Sequence, residues 1–233
     1  MNLTPSETRV FYDRFGKRQD AQSFYEDPAL DDLVAHARFA EAARVFEFGC
    51  GTGRFAARIL AADLPVSATY MGCDLSVTMM NLAIQRLAPY AERARVFQSD
   101  GTTKWPLADN SADRVISTCV LDLLPDADIG ELLREAHRVL SVGGKLCLVS
   151  LTTGTTLPSR VVSAIRMSMF RLRPSLVGGC RPIHLRQCLN AGCWELEHEK
   201  VVSAFGVASE VSVARAKESL RPWAAADTAK RRG

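Results

Sequence analysis

Eleven residues constrain this chain most: "VFEFGCGTGRF" at 45–55, an apolar run that breaks into three glycines within five positions, Gly49, Gly51 and Gly53. A turn of this kind, leaving a strand and opening a helix, lets backbone approach a ligand closely, and the N–H groups of the first helical turn favour an anionic group. The turn therefore points to a nucleotide-like ligand. Its second half, "GTGRFA" from Gly51 to Ala56, also fits the dinucleotide pattern G-x-G-x-x-A, with Asp74 at about the distance of a ribose-binding acid. Two classes of cofactor remain open at this point.

The residues beyond the turn narrow the fold. From Ala43 onward short apolar or β-branched runs alternate with helical patterns, the signal for strand-helix-strand units around a mostly parallel sheet. Strands are expected at 44–48, 69–73, 94–98, 114–119, 145–151, 194–202 and 207–214, the last two joined by the turn "SAFG" and so antiparallel. Ser76 caps the helix after the second strand, and Gly143 and Gly144 stop the helix that begins near Asp126. A further helix is expected to end at Gly192.

Three acids then stand at three successive strand ends. Glu47, two residues before Gly49, would repel a pyrophosphate and welcome an ammonium, which favours a cofactor bearing an amino acid over a nicotinamide dinucleotide. Asp74 can accept from both hydroxyls of a ribose, and Asp100 from an adenine amino group. Ligands in such sheets bind beyond the carboxyl ends of the strands, so these acids and the glycine turn converge on one crevice.

With these residues the chain resembles the class I S-adenosylmethionine-dependent methyltransferases, nearest the branch of ubiquinone and menaquinone biosynthesis. The resemblance rests on "VFEFGCGTGRF", "MGCDLSVTMMNLA", "VFQSDGTTKWPLADNSADRVISTCVLDLL" and "LREAHRVLSVGGKLCLVSL" and covers about 44–151. It implies an α/β, Rossmann-like, doubly wound seven-stranded sheet, mostly parallel with the last strand antiparallel, under an N-terminal helical lid. It implies S-adenosyl-L-methionine as cofactor. Glu47, Gly49, Cys50, Gly51 and Gly53 would hold its methionine part, Asp74 and Leu75 the ribose and adenine, and Asp100 and Gly101 the adenine, with Thr118 lining the floor near the sulfonium. The 233 residues then divide into a lid (1–40), a cofactor-binding core (41–151), a basic substrate-side segment (152–192), a terminal strand pair (193–215) and a tail (216–233).

The acceptor is addressed by charge. Up to Glu135 there are 20 acids and 14 bases, whereas Ala136 to Trp194 holds 8 bases and no acid. Within that stretch Val161, Val162, Ile165, Met169 and Leu172 fall on one helical stripe. An apolar stripe flanked by arginines suits an anionic amphiphile, lipid-like or quinone-like, or the surface of an anionic membrane met through 158–186. Nucleic acid fits less well, because net charge is only +3 and "VLDLLP" follows the fourth strand where the family's enzymes acting on exocyclic amines often carry an Asn/Asp-Pro-Pro-aromatic motif.

No side chain stands out as a base. Asp122, His137, His184, Tyr12 and Tyr25 are candidates, each with a structural alternative, so a protein that binds the cofactor without turnover fits the same residues. Cys180, His184, Cys188 and Cys193 lack paired C-x-x-C knuckles, and no metal site is expected. The seven cysteines are expected as reduced thiols, four of them in or beside apolar runs. The absence of a signal-like start or a spanning apolar run gives a cytoplasmic expectation.

Overall fold

A computed structural model describes residues 2–218, in which seven strands form one sheet. In chain order these are β1 (Arg44–Phe48), β2 (Thr69–Asp74), β3 (Ala94–Gln98), β4 (Ala112–Thr118), β5 (Leu140–Leu151), β6 (Trp194–Ala204) and β7 (Val207–Ala216). Helices α1 (Pro5–Phe15) and α2 (Ser23–Ala37) precede β1. Helices α3 (Arg54–Ala62), α4 (Val77–Arg86) and α5 (Asp126–Val139) join the parallel strands, and α6 (Leu157–Leu172) and the single turn α7 (Leu185–Cys188) lie between β5 and β6. The spatial order is β3-β2-β1-β4-β5-β7-β6. Strands β1 to β5 pair in parallel, and β7 runs antiparallel to both β5 and β6. The expected doubly wound sheet with an antiparallel last strand is the sheet observed.

Strand periodicity of two explains the layering, because neighbouring residues point to opposite faces. Val45, Ile116, Cys147 and Val213 join one buried layer with Leu30 and Leu33 of α2 and Phe55, Ile59 and Leu60 of α3. Phe46, Val115, Leu146 and Ala214 join the other with Ile129, Leu132, Leu133 and Ala136 of α5. Each such side chain of leucine size contributes about 1.5–3 kcal/mol by leaving water. The start of α4 is set by Ser76, whose Oγ accepts from the backbone N–H of Met79 at 3.1 Å.

Three local features depart from expectation. Helix α5 stops at Val139, because buried Leu140 turns extended (φ −70°, ψ 134°) and pairs with Ala112 of β4. Gly143, at φ +81°, and Gly144 instead occupy a register shift inside β5; a Cβ on Gly144 would lie 2.9 Å from the Ser141 carbonyl oxygen. The helix expected to reach Gly192 is cut to one turn, since the Asn190 carbonyl accepts from Cys193 and Trp194 and its side chain accepts from Gly192. The 1–40 lid divides: α1 and the 3-10 stretch Gly16–Gln22 lie over the carboxyl ends of the strands, while α2 packs on the sheet through Ala29, Leu30, Leu33 and Ala37. Asp32 of α2 fastens β6, accepting from His198 Nε2 and Lys200 Nζ, both at 2.6 Å. Of the terminal tail, positions 219–233 lie outside the described residues.

Candidate active site

Strands β1 and β4 are neighbours from which the chain winds outward in opposite directions, and the crevice beyond their carboxyl ends is where such sheets hold ligands. A cavity of about 750 Å³ opens there. Of the residues expected to bind cofactor, Gly49, Gly51, Asp74, Leu75, Gly101 and Thr118 line it. A side chamber of about 40 Å³ lies against Glu47, Cys50 and the same Gly49, Gly51 and Thr118, with room for one or two small polar groups.

The turn is held from below. Gly49 and Cys50 both donate to the Cys73 carbonyl at 2.9 Å, and Gly51 donates to Asp74 Oδ2 at 2.9 Å, while Asp74 Oδ1 accepts from Ser76 at 2.8 Å. Gly49 sits at φ +79°, and a Cβ there would fall 2.3 Å from Val120 Cγ2. Gly53 and Asp100 line neither space. A Cβ on Gly53 would approach the Ala83 Cα to 2.9 Å, so this glycine serves the packing of α3 on α4. Asp100 folds back on its own turn, accepting from the Thr102 backbone at 2.9 Å and its hydroxyl at 2.7 Å; these bonds hold its carboxyl below the usual range. That edge of the cavity is formed by Ser99 and Gly101 instead.

Burial disfavours the charged form of two acids beside the turn. Glu47, 1% exposed, accepts among the described residues only from the Tyr70 hydroxyl, at 2.6 Å, and burial pushes its pKa up to about 7. Gly72 makes that bond possible: it pairs with Glu47 across β1 and β2, and a Cβ there would lie 2.6 Å from the Tyr70 oxygen. Burial likewise pushes Asp74 up to about 6. Ligand donors at either acid would stabilise the charged form, an ammonium at Glu47 and hydroxyls at Asp74.

The roof comes from the N-terminal segment. Asp13 accepts from the Ser76 hydroxyl at 2.6 Å, and Asp20 accepts from Thr52 Oγ1 at 2.6 Å and pairs with Arg86. Phe11, Tyr12, Phe15 and Tyr25 line the main cavity, and Gln19 and Glu26 line both spaces. Sequence reasoning missed Gln19 and Glu26, since no motif surrounds them and the only signal is the aromatic richness of their segment. Glu26 accepts from Arg54 at 3.2 Å, and burial pushes its pKa up to about 7.

The structure separates the candidate bases. Asp122 belongs to the cavity wall with none of its surface exposed, and burial raises it to about 6. Tyr12 faces Cys180 Sγ at 3.9 Å, and burial raises both tyrosines. His137 lies elsewhere, 3.0 Å from the Lys217 carbonyl, and His184 stands between the hydroxyls of Thr152 and Thr153. Cys188 donates to the His184 carbonyl and Cys193 is buried in the core layer of α5, so the cysteines near His184 face different neighbours. Among the described residues one trio, Asp32, His36 and His198, brings possible metal-ligating atoms within 4.8 Å. Its histidine rings stack at 3.5 Å and Lys200 already occupies Asp32, which describes a clamp between α2 and β6.

In sequence and fold the chain resembles the class I S-adenosylmethionine-dependent methyltransferases, a family and fold that imply S-adenosylmethionine as the cofactor. Residues 45–144 match a family described as "Methyltransferase domain". The chain is 36% identical over 121 residues to an arsenite methyltransferase of Aquipseudomonas alcaligenes, covering 49% of this chain and 34% of that one. It is 31% identical over 122 residues to the ubiquinone/menaquinone biosynthesis C-methyltransferase UbiE of Geotalea uraniireducens, covering 52% and 50%. The matches thus span half or less of these two relatives. A putative methyltransferase from Bacillus halodurans has the same fold, with a TM-score of 0.63 at 15% identity over 81% of this chain and 99% of that one. The residues present fit the cofactor: a buried acid behind the turn matches an ammonium, a second matches hydroxyls, and the cavity is of nucleoside-ligand size.

Proposed function

We propose that the protein transfers the methyl group of S-adenosylmethionine to a small-molecule acceptor of amphipathic, anionic, lipid-like or quinone-like character. When bound, the cofactor supplies a methyl carbon on a positively charged sulfur, and the sulfur keeps the bonding electron pair as the methyl leaves. The observation that carries this reading is one continuous cavity, with Gly49, Gly51 and Asp74 at one end and Tyr12, Met169 and Leu176 at the other. Glu47, Cys50 and Thr118 would face the methionine part, Asp74 and Leu75 the ribose, and Ser99 and Gly101 the adenine. Asp100 would join only by leaving Thr102, and Gly53 acts through helix packing. The chain's own contribution is alignment of the acceptor and exclusion of water under α1.

The anionic character is supported by Arg166, which lines the main cavity and whose charge acts on the buried Asp122 beside it. Calorimetric titration with S-adenosylhomocysteine beside NAD tests the cofactor. Micromolar binding of the first alone is expected, weakened at least about 10-fold in Gly51→Val or Asp74→Leu; binding of NAD alone, or of neither, overturns the proposal.

A specific observation favours contact with anionic membrane. Leu157, Val161, Ile165 and Leu172 of α6 stand 55–82% exposed, flanked by exposed Arg160, Arg171 and Arg173, with Phe24 and Phe205 stacked edge-on at 5.2 Å beyond them. Described helices include none long and apolar enough to cross a membrane, so any contact of this helix would be peripheral. Sedimentation with phosphatidylserine vesicles, reduced by Val161→Glu with Ile165→Glu, is the expected result; equal sedimentation of both forms overturns it.

A further inference from the structure

Six residues line both the main cavity and the side chamber behind the glycine turn, and Glu26 is the only carboxylate among them. The others are Gln19, Gly49, Gly51, Thr118 and Cys119, which form the partition between the side chamber and the main cavity. Arg54, the first residue of α3, holds Glu26 through Oε2 at 3.2 Å, and Oε1 has no hydrogen bond among the described residues. The Glu26 side chain keeps 14% of its surface exposed and lines both spaces, so it is not sealed in protein. Arg54 is itself fixed from its far side by Asp27. One oxygen is thus anchored and the other is free at the junction.

Resting on the methyltransferase reading above, we infer that Glu26 is the catalytic proton acceptor, and that the acceptor molecule is an anionic amphiphile methylated at a hydroxyl group. In this step the acceptor oxygen forms its new bond to the methyl carbon and its O–H bond breaks. The proton passes to Glu26 Oε1, and the sulfur retains the electron pair of the bond it loses. The anion of the acceptor sits at Arg166.

The surroundings suit that task. Burial raises Glu26 to about 7, assisted by the charges of Asp27 and Asp122 and opposed by Arg54. Tyr25 and Cys119 also face it, and burial raises both so that they stay neutral near pH 7. A base poised near the working pH transfers protons most effectively. Asp122 lines only the main cavity, is fully buried in its wall and does not reach the side chamber, so it is set back from the partition that Glu26 occupies. Glu47 is engaged by Tyr70 on the far side of the turn.

The test compares wild type, Glu26→Gln and Glu26→Asp, with 8-(4-hydroxyphenyl)octanoate as methyl acceptor and its 4-methoxy and unsubstituted analogues as controls. Three readouts are taken. S-Adenosylhomocysteine affinity should be unchanged within about 3-fold in both variants, whereas a loss of more than about 10-fold would make Glu26 an ammonium ligand and overturn the inference. Turnover of the phenol should fall about 100-fold or more in Glu26→Gln, with partial recovery in Glu26→Asp. The wild-type rate should rise as pH passes through 7, and that limb should vanish in Glu26→Gln. Carbon-13 spectra of carboxyl-labelled protein should show a glutamate titrating near 7 that is missing from Glu26→Gln and persists with S-adenosylhomocysteine bound. Equal turnover in the variants, or no transfer to the phenol by wild type that binds S-adenosylhomocysteine, overturns the inference alone. Wild type that fails to bind S-adenosylhomocysteine overturns the methyltransferase reading beneath it.

Discussion

Replacing Glu47 by glutamine removes a titration and leaves almost everything else in place. The side chain is buried and accepts one bond, from Tyr70, which the glutamine oxygen can accept as well. Burial raises the folded-state pKa from 4.5 to about 7. For an acid shifted upward the sign is fixed: the folded state holds the proton more tightly, so the contribution to stability is fully present below pH 4.5 and is lost as pH rises through 7. At about 1.4 kcal/mol per unit the loss is about 3 kcal/mol. Wild type should therefore lose stability relative to Glu47→Gln between pH 5 and pH 8, by about 2–3 kcal/mol once the part already lost at pH 5 is subtracted. Glu26 titrates in both proteins and cancels in the difference, whereas Asp74, whose charge helps raise Glu47, loses that repulsion in Glu47→Gln. Urea unfolding followed by the fluorescence of Trp105 and Trp194 at several pH values gives the two curves. Saturating S-adenosylhomocysteine should narrow the gap at pH 8, since its ammonium compensates the carboxylate. Parallel curves from pH 5 to pH 8 would refute the reasoning, because they would mean that Glu47 stays charged and compensated in the folded protein.

Other outcomes depend on single contacts. Gly49→Ala places a methyl group 2.3 Å from Val120 Cγ2 at φ +79°, and should cost about 2–4 kcal/mol in urea unfolding, part of it recovered by Val120→Ala. Asp20→Asn weakens the bonds to Thr52 and Arg86, so hydrogen exchange should accelerate in residues 2–22 with little change in β1, β4 and β5. Leu132→Ala, at a position of zero exposure beneath the sheet, should cost about 2–5 kcal/mol in the same unfolding assay.

The sheet is legible in the sequence because its signals are local. Val45 and Phe46, or Leu146 and Cys147, alternate between two layers, and the turn at Phe205 and Gly206 takes positive φ at both positions, as a tight antiparallel hairpin requires. The end of α5 misleads for the same reason: two glycines make a persuasive stop, but Leu140 gains more from pairing with Ala112 than from another helical turn. At the site, acids at strand ends can be placed from strand order alone. Asp100 cannot, because a competing bond to Thr102 within its own turn is as local as the strand that presents it. Gly53 shows the reverse case, a motif glycine retained for the approach of Ala83, which only tertiary packing reveals. Glu26 and Gln19 are invisible in sequence since their role depends on where α1 and the 3-10 stretch fold back.

Helix α1 carries a kinetic consequence. Pro5 packs 3.3 Å from where a Cβ of Gly101 would stand, at the edge near Leu75, and Phe11 comes within 3.2 Å of the corresponding point on Gly178, at the opposite edge. One rigid eleven-residue rod therefore spans both compartments. Lifting either end would disturb the other, so under the proposed function loading of the two reactants and departure of the two products would share one gate, and the frequency with which that rod detaches would set an upper limit on turnover.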